Sequence, residues 1–224
     1  MVATTRATFD RQIHDLQDDT LLLGSMVEKA VLRSVDALKR LDVDLARQVV
    51  ADDLQINAKR WQIEDRALEL IARQQPMAGD LRAIASVIHI VTDLERMGDH
   101  AEGIAKIALM HGDQPLLKPL LDIPRMADRA TDMLRRSLQA FVQRDADAAI
   151  AIAAEDDVVD GLYDQVYREL LTFMIEDPHT IQRATWLLWT SHNLERIADR
   201  TTNICERVVY LVTGKMEEIN TSTY

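Results

Sequence analysis

The chain has 224 residues, of which 47% are hydrophobic but only 4% aromatic, and it contains just 7 glycines and 5 prolines. So few turn formers argue against a β-sandwich and favour helices. The net charge of −11 argues against nucleic acid and anionic membrane surfaces as partners of the whole chain.

The cysteine content and the hydropathy of the chain indicate the cellular compartment in which the protein works. The only cysteine, Cys205, allows no disulfide within the chain, and reducing conditions suit such a protein. The first 19 residues contain no apolar run of the kind found in a signal peptide. No stretch approaches the roughly 18 apolar residues of a membrane span. We therefore expect a soluble, cytoplasmic protein without direct membrane insertion.

Apolar residues recur at helical spacing, as at Ile84, Val87, Val91 and Leu94, and breakers separate the periodic segments. These breakers are aspartates, prolines and glycines, and they lie at Asp42, Pro76, residues 112–124, Asp145, Pro178 and Gly214. The pattern predicts six helices, over residues 8–40, 43–74, 77–111, 121–143, 146–176 and 179–213.

The second three helices repeat the first three. Residues 94–99 read LERMGD, and residues 194–199 read LERIAD. Other landmarks recur in the same order: Asp42 with Asp145, Asp53 with Asp156, and Pro76 with Pro178. Short turns make consecutive helices antiparallel neighbours. The sequence therefore predicts an all-α fold of two tandem, duplicated three-helix bundles over residues 1–114 and 115–214, followed by a tail at 215–224.

Carboxylates cluster along these helices. Glu95 and Asp99 are spaced i,i+4, which places both on one helix face. Asn57 lies 19 residues before Pro76, and Glu95 lies 19 residues after it, so a hairpin turning at Pro76 sets the two level. Asp53 is level with Asp99 for the same reason.

The second bundle repeats this arrangement, and the first helix of each bundle adds residues at the same height. Each bundle is therefore predicted to carry an acidic belt, which is a set of acidic and amide side chains at one level. The first belt contains Glu28, Asp53, Asn57, Glu95 and Asp99, and the second contains Asp128, Asp132, Asp156, Asp160, Glu195, Asp199 and Asn203.

Like charges at such separations repel unless something neutralises them. Arg96 and Arg196 are one source of positive charge. A bound metal ion is the other, since clustered oxygen ligands suit Mg, Ca, Mn or Fe. A solvated acidic face remains the third interpretation. Because the second belt has more carboxylates, we expect tighter metal binding there.

Catalytic motifs are scarce. Di-iron oxidases use a Glu-x-x-His pair from each of two helices, whereas here Glu176 and His179 form a single copy that straddles Pro178. Phosphate-cradling glycine loops and nucleophile motifs are absent from the sequence. The sequence favours a binding protein over an enzyme. The alternative is a helical di-metal carboxylate protein with redox or metal-storage activity.

Three segments resemble a known family. They are residues 74–106, which include the LERMGD motif, residues 155–177, and residues 192–214, which include LERIAD. In matching order they resemble the PhoU family of phosphate-specific transport system accessory proteins, and the likeness extends over about residues 9–214.

The resemblance implies two tandem three-helix bundles and a Glu/Asp-x-x-x-Asp signature that holds multinuclear metal clusters of Fe, Mn, Mg or Zn. The signature maps onto Glu95/Asp99, Glu195/Asp199 and Asp156/Asp160, and onto Asp53/Asn57 with an amide in second place. It also implies negative regulation of phosphate uptake and of the phosphate-starvation response. The implied partners are the phosphate ABC transporter ATPase, a membrane sensor histidine kinase and a second copy of the chain.

Overall fold

The computed structural model describes residues 2–112 and 114–219, which form helices joined by short turns. None of the helices in these ranges has a stretch long and apolar enough to cross a membrane. The described part of the chain contains seven α-helices: α1 (Val2–Arg40), α2 (Val43–Gln74), α3 (Ala78–His111), α4 (Asp122–Gln143), α5 (Ala146–Ala153), α6 (Asp156–Glu176) and α7 (Ile181–Thr213). A 3-10 turn, Pro178–Thr180, precedes α7.

The predicted duplication is confirmed: α1 to α3 form one three-helix bundle, and α4 to α7 form the other. Both bundles use the same first turn. Leu41 (φ 55°) and Arg144 (φ 54°) adopt left-handed backbone conformations, which end the preceding helix. The aspartates that follow, Asp42 and Asp145, each accept a hydrogen bond of 2.9 Å from the N–H three residues on, and so cap the next helix.

The structure divides the helix predicted over residues 146–176 into α5 and α6, because the chain makes a tight turn at Ala154 and Glu155. Arg136 on α4 donates to both carboxylate oxygens of Glu155, at 2.8 and 2.5 Å, and so ties this junction to α4. Neither proline nor glycine marks the junction, and the apolar periodicity continues through it. The break places Asp156 in the first turn of α6.

The two bundles pack together through α3 against α7 and α1 against α4. The helices α3 and α7 run antiparallel: Ser86 donates to the carbonyl of Arg207 at the start of α3, and His100 contacts Asn193 further along. Their buried side chains join those of the other helices in one continuous hydrophobic core. The predicted boundary at residues 114/115 falls between α3 and α4 and stays a prediction, because the bundles share this core.

A local two-fold relation links the polar contacts between α3 and α7. Arg200 lies 3.6 Å from Asp93, measured between Nη1 and Oδ1. The repeat-equivalent pair is His100 and Asn193, which are hydrogen-bonded at 2.9 Å. Asn193 uses its Nδ2 to donate to the carbonyl of Trp189, so its Oδ1 accepts and His100 Nδ1 carries the proton. Burial lowers the pKa of His100. One contact is therefore an ion pair, and its equivalent is a neutral hydrogen bond.

Packing between the bundles predicts a difference between two glycines. A Cβ added at Gly24 on α1 would lie 2.2 Å from Cδ1 of the buried Leu138 on α4, whereas one added at Gly161 on α6 would meet nothing within 4 Å. We expect Gly24→Val to lower the free energy of unfolding by about 1–3 kcal/mol through overpacking. Gly161→Val should leave it unchanged or raise it by a few tenths of a kcal/mol, about the gain in helix propensity. Urea unfolding of both variants measures this, and equal stabilities would contradict the packing described.

Candidate functional site: two carboxylate clusters

The first carboxylate cluster comprises Asp53 on α2 and Glu95, Asp99 and Glu102 on α3. Asp53 is buried, with 8% of its surface exposed. Its Oδ2 accepts a hydrogen bond of 2.8 Å from Asn57, and its buried Oδ1 has no hydrogen-bond partner. Such an oxygen is costly to bury without a cation or a proton.

A glycine allows this close approach of α2 to α3. A Cβ added at Gly98 would lie 3.0 Å from Cγ2 of Ile56 and 3.3 Å from Oδ1 of Asp53. The second LER motif has Ala198 at the equivalent position, and this residue is also fully buried. A small residue in each motif therefore lets the neighbouring helix bring its aspartate against the carboxylates of the motif.

Electrostatics confirm that the first cluster is a group of mutually repelling acids. Burial raises the pKa of Asp53 to about 6, with further contributions from Glu102, Asp99 and Glu95. The pKa of Glu95 is also raised, by burial and then by Asp99, although Arg60 and Arg96 oppose the shift. The expected neutralising arginine, Arg96, thus opposes the rise in the pKa of Glu95 without cancelling it.

Glu102 belongs to this cluster, although the sequence analysis missed it. It lies seven residues beyond Glu95 on α3, and this spacing places it on the same helix face. It also pairs with Lys106 at 2.6 Å within the helix. The signal was therefore present as an i, i+4, i+7 series. It was overlooked because the second motif has Thr202 at the equivalent position.

The second carboxylate cluster comprises Asp156 and Asp160 on α6 and Glu195 and Asp199 on α7. One carboxylate oxygen from each of Asp156, Asp160 and Asp199 lies within 4.8 Å of the other two. Asp156 is buried, and the other three acids are half-buried. The structure thus brings together all four residues that the helical hairpin predicted to be level.

Repulsion is stronger in the second cluster. Burial, followed by Asp160, Asp199 and Glu195, raises the pKa of Asp156 to about 7. Burial and then Asp199 raise the pKa of Glu195 to about 7 as well. At neutral pH the cluster therefore holds protons that ordinary carboxyl groups have lost.

Two basic side chains contact the edge of the second cluster. Arg196 donates to Asp199 at 2.6 Å, as expected for one of the two predicted neutralising arginines. Nδ1 of His192 lies 3.3 Å from Oε2 of Glu195, and this contact is an ion pair only when the imidazole is protonated. After burial, neighbouring acids raise the pKa values of Asp156 and Asp160, so carboxyl groups repel one another at the centre of the cluster.

Two of the predicted belt residues contact partners outside the clusters. Asp132 pairs with Arg135 and Arg136 on its own helix. Asn203 donates to Asp93 on α3 at 3.3 Å, at the interface between the bundles. Asp128 is exposed on α4, and Glu28 is half-buried on α1. The hairpin argument fixes the height of a residue but not its direction around the helix, so Asp132 and Asn203 turn to these other partners. The place of Asp128 and Glu28 in a belt stays a prediction.

Both clusters present donors that suit a metal ion. Their side chains offer carboxylate oxygens, which magnesium, calcium, manganese and iron accept readily. A cation would remove the repulsion that raises the pKa values of Asp156 and Glu195, and it would supply a partner for Oδ1 of Asp53. The first cluster is the poorer candidate because Asn57 replaces the acid found at Asp160, and because Arg60 adds positive charge nearby.

The fold and clusters together define a class: an all-helical protein of two duplicated three-helix bundles, each with buried acids between its last two long helices. The sequence profile of the PhoU domain matches residues 20–108 and 123–208, which are the two bundles. The chain belongs to the PhoU family.

Curated relatives and solved structures agree with this assignment. The phosphate-specific transport system accessory protein PhoU homolog of Clostridium acetobutylicum is 40% identical over 220 residues, covering 96% of this chain and 99% of that protein. The Escherichia coli PhoU protein is 33% identical and covers 92% and 86% of the two chains. The crystal structure of PhoU from Pseudomonas aeruginosa is similar, with a TM-score of 0.88, 38% identity, and coverage of 92% of this chain and 100% of that one.

The raised pKa values predict how stability depends on pH in metal-free protein. Folding raises the pKa values of Asp156 and Glu195 from their ordinary values near 4 to about 7, so the folded state binds protons more tightly than the unfolded state. Their repulsion is therefore absent below about pH 4 and grows as the pH rises to about 7. We expect Asp156→Asn combined with Glu195→Gln to stabilise metal-free protein at pH 8 by about 1–2 kcal/mol.

Urea unfolding at pH 5 and pH 8 in the presence of a chelator measures this effect. The variant should gain little at pH 5 and most at pH 8. The matched control is Asp157→Asn, which removes an exposed charge next to Asp156 and should change stability by no more than about 0.5 kcal/mol. A double variant less stable than wild type at pH 8 would argue against repulsion in the cluster.

Proposed function

We propose that this protein is a cytoplasmic adaptor that restrains phosphate uptake and the phosphate-starvation response when phosphate is plentiful. The observation that carries this proposal is the match over nearly the whole chain to curated proteins named as accessory proteins of the phosphate-specific transport system. Its proposed partners are the ATPase of the phosphate ABC transporter and a membrane sensor histidine kinase.

The long helices support an adaptor role. Each of α2, α3 and α7 has more than 30 residues, so each extends for about 45 Å or more. Such helices offer extended faces for helix-on-helix docking, the mode by which a kinase dimerisation bundle would be engaged. We include a homodimer in the proposal.

We further propose that the second carboxylate cluster binds one or more divalent or trivalent metal ions. Asp156, Asp160, Glu195 and Asp199 would hold them, and Asp53, Glu95, Asp99 and Glu102 would form a weaker site. The bound cation would supply positive charge that neutralises the repelling acids. The residues of the chain do the rest: α6 and α7 hold the donor oxygens close together, and Arg196 orients Asp199 from the edge.

The proposal assigns binding and no reaction. The isolated Glu176 and His179 pair lies at the end of α6 and in the 3-10 turn, where both side chains are exposed. Neither residue is part of a carboxylate cluster. The pair therefore gives no support to the alternative of a di-metal protein with redox or storage activity.

Metal content tests the proposed site directly. We expect purified wild-type protein to contain more than one metal ion per chain by plasma mass spectrometry, and a chelator to lower its melting temperature. Asp156→Asn with Glu195→Gln should remove most of the metal and the effect of the chelator, since uncharged amides bind hard cations weakly. Asp157→Asn should behave as wild type. Protein that carries no metal after purification and after incubation with Mn²⁺ or Fe²⁺ would overturn the metal proposal.

Regulation is tested in the source organism with its own copy of the gene deleted. We expect the deletion strain to express a phosphate-starvation reporter in high phosphate, and the wild-type chain to restore repression. A pull-down from the complemented cells should recover the transporter ATPase or the sensor kinase. Normal repression in the deletion strain would overturn the regulatory proposal. Repression by the metal-deficient variant would separate regulation from metal binding.

A further inference from the structure

The outer face of α2 carries a regular row of exposed residues. One side of α2 packs on α1 and α3. Along the opposite side, exposed positions recur at alternating steps of four and three residues, which is the a/d spacing of a coiled coil. We call this row the outer seam, and it consists of Leu54, Ala58, Trp61, Asp65, Leu68 and Ala72.

The outer seam exposes large apolar side chains. The exposed fractions of Leu54, Trp61 and Leu68 are 73%, 59% and 57%. Single exposed apolar residues are ordinary, but an aligned series over five helical turns marks an interaction surface. Along the outer seam each large side chain is followed by a smaller one, so protruding side chains alternate with gaps that could receive side chains of a partner helix.

The duplicated bundle provides an internal comparison. In α6, the positions equivalent to Leu54, Trp61 and Asp65 are occupied by Asp157, Asp164 and Arg168. The fold therefore accepts charged residues at these positions and does not require an apolar seam. At the positions of Leu54 and Trp61 the apolar side chains are specific to the first bundle, whereas Leu171 and Ile175 on α6 keep exposed apolar side chains at the positions of Leu68 and Ala72. The difference at Leu54 and Trp61 favours a contact made by the first bundle.

We propose that the outer seam is the interface between two copies of this chain, which pack α2 against α2 in antiparallel orientation. A two-fold axis near residue 63 sets Leu54 opposite Ala72, and Ala58 opposite Leu68, of the second copy. It also sets Trp61 opposite Asp65. Every large side chain then faces a small or short one, and the contact is self-complementary, as a two-fold interface must be.

Polar groups in this arrangement also match. The indole N–H of Trp61 is a donor without acceptor capacity, and it faces the carboxylate of Asp65 from the second copy. Burial of Asp65 without such a donor would be unfavourable. A second copy of this chain therefore supplies the group that a purely apolar partner helix would lack.

The flanks of the seam are compatible with this orientation. On one flank Gln62 meets its own copy and Gln55 meets Glu69, so amide donors face oxygen acceptors. On the other flank Glu64 meets its own copy, but Arg60 already neutralises it at 2.9 Å within the same helix. An interface formed by one pair of helices buries an area at the lower end of the range for specific interfaces. We therefore expect this dimer to dissociate on dilution in the micromolar range.

The inference deepens one part of the proposed function, the homodimer, but it rests on the outer seam alone. Purified protein therefore tests it independently of phosphate control. The test variant is Leu54→Asp with Trp61→Asp, which gives α2 the residues that α6 has at the equivalent positions. The control is Val158→Asp, which introduces one aspartate at an exposed apolar position on α6.

Sedimentation velocity over a concentration series measures the dimer. We expect wild type and Val158→Asp to dimerise, and the double variant to dimerise at least about tenfold more weakly, as for loss of central interface anchors. Helical circular dichroism and an unchanged melting temperature would show that the variant folds. A wild-type monomer throughout the series would overturn the inference. A double variant that dimerises as tightly as wild type would also overturn it. The same holds if wild type stays monomeric and uses the outer seam to bind a different protein.

Cross-linking tests the orientation. Native Cys205 is buried, so an introduced cysteine is the reactive one. In the antiparallel arrangement Gln62→Cys lies next to its own copy and should form a disulfide-linked dimer under mild oxidation. Gln55→Cys alone should not, because it faces position 69. Equal cross-linking of both variants would indicate a parallel pair and overturn the proposed geometry, as would dimeric Gln62→Cys protein that fails to cross-link.

Discussion

The antiparallel packing of α3 against α7 is the contact on which the rest of the structure depends. It places the two LER motifs beside each other at the centre of the molecule, where Met97, Ile197 and Ala198 are fully buried. With the inward faces of both motifs committed to the core, their acidic residues turn towards α2 and α6. Each LER motif thus places apolar residues in the core on one helix face and acidic residues in a carboxylate cluster on another face. The duplication repeats this arrangement about the local two-fold relation between α3 and α7.

Burial of like charges opposes folding, and the fold accepts this cost in both bundles. The cost differs between them. Asn57 softens the first cluster by donating to Asp53, whereas Asp160 occupies the equivalent position in the second cluster and adds to the repulsion on Asp156. A duplication that kept the helices but varied a few residues has therefore produced two clusters with different repulsion between their acids.

The sequence predicted the architecture well because turn signals and apolar periodicity agree along the chain. Asp42 and Asp145 cap equivalent helices, and the hairpins correctly brought Asp156 and Asp160 to Glu195 and Asp199. The predictions fail where the direction of a side chain around its helix determines which partner it contacts. Asp132 and Asn203 have the right height but turn to Arg136 and Asp93. The turn at Glu155 could not be predicted because no local breaker marks it, and Arg136, which ties it to α4, lies 19 residues away in the sequence.

The shared core has a consequence for synthesis. The face of α3 that packs on α7 has no covering until α7 is made, and the end of α7 lies about 100 residues beyond the end of α3. At bacterial rates of about 5–20 residues per second, the first bundle waits about 5–20 s with that apolar face open to water. An apolar face left open in this way makes the nascent chain prone to association with other chains. The bundle that finishes first therefore depends on the one that follows it.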